Sequence, residues 1–81
     1  MPSESEIIQE IEIFARNYSN WTIGITADLE RRRQERNNPQ YWHSWNAMSK
    51  RSARNIEKYF LDKGMKSDAG GDFSPIYVYI F

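Results

Sequence analysis

The final run IYVYIF, residues 76–81, restricts the fold of this chain more than any other segment. It is rich in β-branched and aromatic residues, which favour strands, and it follows the loop-like stretch SDAGGDFSP, residues 67–75. Such a strand is stable only beside other strands, so earlier segments must supply a sheet. Because the chain has 81 residues, we expect one small domain, residues 1–81, to contain this sheet and its covering helices.

Packing must hold this small domain together. The chain has no cysteine, which excludes disulfides and thiolate zinc sites. Its three Trp, five Tyr and four Phe provide large apolar areas for a short chain to bury.

The first half of the chain predicts a helix, a strand and a second helix. Residues 5–18 should form an amphipathic helix capped by Ser3 or Ser5. Its apolar stripe has spacings of four, three and four residues: Ile7, Ile11, Phe14 and Tyr18. Residues 21–25 alternate large apolar with small side chains, as a strand does. The second helix should begin at Thr26 or Asp28 and run to about Arg36.

The second half repeats the alternation. The aromatic segment 41–46 predicts a strand, and a helix should follow from the cap Ser49 to Lys63, with Gly64 as its stop. Its apolar stripe is Ala53, Ile56, Phe60 and Leu61. The order helix, strand, helix, strand, helix, strand predicts an α/β or α+β fold, in which three helices pack on a three-stranded sheet of undetermined strand order.

The zero net charge of the chain conceals an asymmetry. Residues 1–30 carry six acidic residues and one basic residue, whereas residues 31–58 carry eight basic residues and two acidic ones. Such a basic segment is typical of a phosphate-binding surface, although a solvated pair of helices explains it equally well. With no apolar run near the roughly 18 residues of a membrane span and no secretory signal, we expect a soluble, cytoplasmic protein without a membrane partner.

The segment WTIGITADLERRRQERN, residues 21–37, resembles the second half of the GIY-YIG nuclease motif. Thr22, Ile23 and Gly24 stand at the YIG triplet, and Arg32 falls at the position of that family's catalytic arginine. The helix SARNIEKYFLDKG resembles the family's helix that carries a metal-binding glutamate, which Glu57 matches. The similarity covers roughly residues 21–66.

This resemblance implies a divergent, metal-dependent endonuclease domain that hydrolyses DNA. Arg32 would offer a bidentate fork to phosphate oxygens, and Glu57 would hold Mg²⁺ or Mn²⁺, an ion that often takes only one or two protein carboxylates. Gly24 would let a ligand approach the strand closely. Substrate phosphates would be bound by further basic side chains: Arg36, Lys50, Arg51 and Arg54.

Departures from the family pattern fall on catalytic positions. Thr22 replaces the usual tyrosine, and Arg36 stands where a histidine or tyrosine is usual. The family's opening GIY strand is missing before residue 21. The C-terminal strand could fill its place in a circularly permuted arrangement, with Tyr77 or Tyr79, whichever faces the site, supplying the tyrosine.

Each candidate also has an ordinary structural interpretation. Arg32 can pair with Asp28 along an exposed helix face, and Glu57 can pair with Arg54. His43, the only histidine, is more typical of a packing residue than of a base. Lys50, Arg51 and Arg54, however, crowd a helix N-terminus, where the macrodipole disfavours cations and attracts anions.

Three functions therefore stay open from the sequence: a divergent endonuclease, a non-catalytic nucleic-acid-binding module derived from that fold, and a protein-interaction module. Whether the chain is an enzyme is left undecided.

Overall fold

The structure is a computed structural model that describes residues 3–68 and 73–81. Within these residues seven regular elements follow one another, with a single turn of 3₁₀ helix at Tyr18–Asn20. Three are helices: α1 (Glu4–Phe14), α2 (Leu29–Glu35) and α3 (Lys50–Asp62). Four are strands: β1 (Thr22–Thr26), β2 (His43–Asn46), β3 (Lys66–Ser67) and β4 (Tyr77–Ile80). The mixed class and the alternating order confirm the coarse prediction.

The number of strands corrects that prediction, because the sheet has four strands in the order β2-β4-β1-β3 rather than three. The additional strand, β3, is only two exposed residues long and falls where a loop was expected. No local pattern marks it. It exists because β1 offers a free edge: Lys66 donates its N–H to the Trp21 carbonyl at 3.0 Å, and Asp68 donates to that of Ile23 at 2.9 Å. Residues 69–72 of the predicted loop lie outside the described residues.

The final strand β4 lies inside the sheet and pairs antiparallel with two neighbours. On one side Gly24 pairs with Tyr79, and on the other Ser44 pairs with the same tyrosine. Residues 76–80 are therefore adjacent to residues 21–25, as the permuted arrangement requires. An apolar strand so placed hides its backbone groups as well as its side chains.

One face of the sheet carries the hydrophobic core. Side chains of β1 and β4 meet those of α1 and α3 there: Ile7, Ile11, Ile23, Ala53, Ile56, Phe60, Val78 and Ile80. The predicted stripe of α3 is confirmed, apart from the only partly buried Leu61. The first helix is shorter than expected: it ends at Phe14, which is 47% exposed and stacks on His43 with ring centroids 4.1 Å apart.

Helix caps follow the local sequence closely. Ser3 and Glu6 form a reciprocal capping box at the start of α1. The side chain of Asp28 accepts the Arg31 N–H at the start of α2, and Ser49 accepts that of Ser52 at the start of α3. Gly64 follows α3 with a φ of 113°, a left-handed conformation that glycine adopts without strain.

We expect Ile80→Ala to lower the free energy of unfolding by about 2–5 kcal/mol, because Ile80 is fully buried in the central strand. Ile13→Ala is the matched control, since Ile13 is 67% exposed, and its effect should stay within about 0.5 kcal/mol. Urea denaturation followed by circular dichroism measures both. Equal effects of the two substitutions would contradict the central position of β4.

Candidate functional site

Opposite the core, the second face of the sheet holds a buried polar cluster. Gly24, Tyr79 and the exposed Ser44 lie side by side on three strands, and the side chain of Tyr79 points to this face. Helix α2 covers it with Arg32, whose exposure is only 3%. Fully buried charges are stable only with partners, so the contacts of this guanidinium decide what the site is.

Arg32 is held by a phenol and a carboxylate. Its Nη1 donates to the Tyr79 hydroxyl at 2.9 Å, and its Nε donates to Glu35 Oε1 at 3.1 Å. The predicted pairing with Asp28 is replaced, because Asp28 caps α2 instead. Tyr79 is thus the tyrosine that meets Arg32. Tyr77, the other candidate, lies at the start of β4, where it pairs with Thr26 and Asn46.

Asp68 joins a second arginine to the same phenol. The Tyr79 hydroxyl donates a short hydrogen bond to Asp68 Oδ2. Arg36 binds the same carboxylate from α2, with its Nε 2.9 Å from Oδ1 and 3.0 Å from Oδ2. Arg36, whose side chain is 30% exposed, is therefore engaged in an ion pair with Asp68, whereas the sequence predicted a substrate-binding role for it.

Tyr79 titrates unlike an ordinary tyrosine. Its pKa is raised above the usual value, first because the ring is buried and then because the hydroxyl donates to Asp68; the Arg32 contact opposes the shift. The phenol therefore stays neutral at physiological pH, where it can donate one hydrogen bond and accept another.

Gly24 makes room for this tyrosine. The ring of Tyr79 crosses directly over the glycine, and a Cβ at that position would lie 2.9 Å from Cε2 and still closer to the hydroxyl end. The sequence predicted open space there for a ligand. In the structure the phenol fills it, and Thr22 contributes its backbone, which exchanges hydrogen bonds with Phe81 at 2.8 and 3.0 Å.

Glu57 lies on α3 within electrostatic range of Asp68. Burial raises the pKa of this half-buried carboxyl, Arg54 lowers it, and the negative charge of Asp68 raises it again. The described residues contain no cluster of three or more potential metal-binding side chains. A single carboxylate can nevertheless suffice for Mg²⁺, which keeps most of its water ligands.

The other predicted phosphate-binding residues lie on the surface. Lys50, Arg51 and Arg54 are exposed along α3, on the layer of the sheet opposite to α2. The bases of residues 31–58 thus do not form one continuous face. His43 packs between Phe14 and Trp21, in agreement with a packing role.

Sequence reasoning missed Asp68, because it follows a two-residue strand and precedes a glycine-rich stretch without any pattern. It also missed Trp42 as a wall of the cluster: its ring stacks on that of Tyr79 with centroids 4.6 Å apart. The period-two alternation of Trp42 and Ser44 was the available signal, since it places both on one sheet face.

Comparisons with known protein families, with curated proteins and with solved structures find no match for this chain. Among the described residues, none of the helices is both long and apolar enough to cross a bilayer.

Gly24→Ala should lower the free energy of unfolding by about 1–3 kcal/mol, because the new methyl group displaces the Tyr79 ring. In a Tyr79→Val background the same substitution should have little further effect. Denaturant unfolding of the four proteins gives the coupling between the two positions. Additive effects would show that Gly24 is not required by the tyrosine.

Glu57→Gln should stabilise the protein at neutral pH and not at acidic pH. The folded-state pKa of Glu57 is raised, so the ionised carboxylate opposes folding above that pKa, and protonation removes this effect as the pH falls toward the unfolded value. Thermal melts of both proteins between neutral and acidic pH test this. A stability difference that widens on acidification would contradict it.

Proposed function

We propose that this domain is a divergent GIY-YIG-like endonuclease that hydrolyses DNA phosphodiester bonds with Mg²⁺ or Mn²⁺. The observation that supports it is the contact between Arg32 and Tyr79 over Gly24. The arginine and the glycine come from the segment that resembles the family motif, and the phenol comes from the C-terminal strand that occupies the vacant place beside β1.

The residues of this cluster suit the chemistry of a phosphodiester. A phosphate oxygen can replace Glu35 and Tyr79 as the acceptor of hydrogen bonds from Arg32. A guanidinium also stabilises the negative charge that develops on phosphate oxygens. The neutral Tyr79 hydroxyl is a hydrogen-bond donor rather than a base. It suits the orientation of a phosphate oxygen or an attacking water.

Glu57 would hold the metal ion. A bound Mg²⁺ supplies Lewis acidity and lowers the pKa of its water. A nearby cation would also favour the ionised form of Glu57, which burial now disfavours.

The burial of Arg32 and Tyr79 favours a second candidate function, a non-catalytic one. Arg32 is 3% exposed and Tyr79 is fully buried, so in this conformation neither reaches a substrate. A non-catalytic nucleic-acid-binding module would keep this cluster as a structural core and bind phosphates through exposed bases such as Arg33, Arg51 and Arg54.

Cleavage of a nicked or branched DNA duplex in Mg²⁺ or Mn²⁺ separates the two candidates. If the enzyme proposal is right, Arg32→Lys should lower the rate by about 100-fold, since loss of one charge-stabilising donor has effects of that order. Glu57→Gln should abolish metal-dependent cleavage, and Tyr79→Phe should slow it. Arg16→Lys, an exposed change in the loop after α1, is the matched control.

Binding is measured separately in EDTA by fluorescence anisotropy, and folding by thermal melts. Binding without cleavage in the unaltered protein would establish the non-catalytic module. Neither binding nor cleavage would refute both candidates and favour a protein partner.

A further inference from the structure

An open cleft lies next to the buried cluster, between α2 and the start of β2. It has a volume of about 380 Å³. Its lining is Leu29, Glu30, Arg33, Gln34, Asn38, Trp42 and Ser44. That volume lies in the range of small-molecule sites. The cleft combines one large aromatic ring with one guanidinium, one carboxylate, two carboxamides and a hydroxyl, and the buried cluster uses none of these polar groups.

The indole of Trp42 has one face available to this cleft. Its ring stacks on Tyr79 with centroids 4.6 Å apart and on Phe81 with centroids 5.7 Å apart, both nearly parallel. Rings on opposite sides of an indole would be separated by about the sum of those two distances. Tyr79 and Phe81 are only 6.1 Å apart, so both lie on the same side. The other face of the indole is left for the cleft.

Arg33 is a suitable anion-binding group for the same cleft. It is exposed, and it makes no ion pair with any residue in the described ranges 3–68 and 73–81. Neighbouring arginines are already engaged, Arg32 with Tyr79 and Arg36 with Asp68. Asn38 is held in place by its backbone N–H, which donates to the Arg33 carbonyl at 2.9 Å.

We propose that this cleft binds one nucleotide of a single-stranded or locally unpaired DNA segment. The base stacks on the free face of Trp42, the phosphate binds Arg33, and the carboxamides of Gln34 and Asn38 contact the base edge. Glu30, which also lines the cleft, accepts from an N–H group of the base and repels phosphate from its own end of the cleft. A base inside a duplex has both faces covered by its neighbours, so only an unstacked base can use the indole.

A smaller aromatic cleft, lined by the residue before Trp42, supports a strand rather than a free nucleotide. It measures about 210 Å³ and is lined by Asn20, Trp21, Tyr41 and Phe81. Consecutive residues, Tyr41 and Trp42, thus line one cleft each, and Phe81, which lines the smaller cleft, stacks on the indole of Trp42. Successive bases of one strand can occupy the two clefts in turn.

This inference deepens the proposed function, because it rests on nucleic acid as the ligand and names the strand form that is bound. It does not depend on hydrolysis. It is therefore tested in EDTA, where no metal-dependent cleavage takes place.

The probe is a fluorescein-labelled thymidine strand of about 12 nucleotides, a length within the range of one such site. A strand of equal length built entirely of abasic residues keeps the phosphates and removes the bases. We expect the thymidine strand to bind about tenfold more tightly than the abasic strand, because the stacking energy of one base on an aromatic ring corresponds to about that difference in affinity. Equal affinities would overturn the inference.

Arg33→Gln tests the phosphate contact, with Arg16→Gln as a control of equal charge change at another exposed arginine. Only Arg33→Gln should weaken binding and reduce the salt dependence, by about one unit in the slope of log affinity against log salt. Identical behaviour of the two variants would overturn the assignment. Neither substitution touches the stacked rings.

Trp42 itself is observed without altering it. Trp21→Phe and Trp45→Phe together leave Trp42 as the only tryptophan, and thermal melts check the fold. The thymidine strand should quench the emission of this protein saturably; unchanged emission on binding would refute base stacking at the indole. Base-dependent binding without cleavage supports this inference and refutes the enzyme proposal, and cleavage with equal affinity for both strands does the reverse.

Discussion

The position of β4 between β1 and β2 is the constraint on which the other elements depend. Backbone hydrogen bonds join β4 to β1 on one side and to β2 on the other. Its alternating side chains divide the domain: Val78 and Ile80 enter the hydrophobic core, while Tyr79 enters the polar cluster. Burial of apolar area at about 25 cal/mol per Å² makes the first face the main source of stability, and the second face then determines which polar groups meet.

The polar cluster shows how a small protein accommodates a buried guanidinium. Arg32 donates hydrogen bonds to Glu35 on its own helix and to Tyr79 on β4. The Tyr79 hydroxyl in turn donates to Asp68, which forms an ion pair with Arg36. No described buried side-chain polar atom lacks a partner. Removing one member of such a network leaves another buried and unpaired, which is more harmful than the net strength of the lost bond implies.

Sequence patterns predicted what is local, and they missed what is assembled from distant segments. Asp28 and Ser49 as caps, and the stripe Ala53, Ile56 and Phe60, follow from neighbouring residues and from helical periodicity. The strand Lys66–Ser67 could not be predicted in this way, because two exposed polar residues have no strong preference for a β-strand. The candidate site was found in part: Arg32 was singled out, yet its burial and its contact with Tyr79 depend on which strand lies beside Gly24, a tertiary fact.

The central place of a strand formed by residues 77–80 also has a consequence for the order of events during synthesis. The ribosome makes β1 and β2 long before their common partner, so both expose unpaired backbone edges until β4 emerges. Contacts so distant in sequence form slowly, because a long loop must close first. A nascent or truncated chain that ends before Tyr77 therefore exposes these edges to chaperones and proteases, and pairing with β4 covers them.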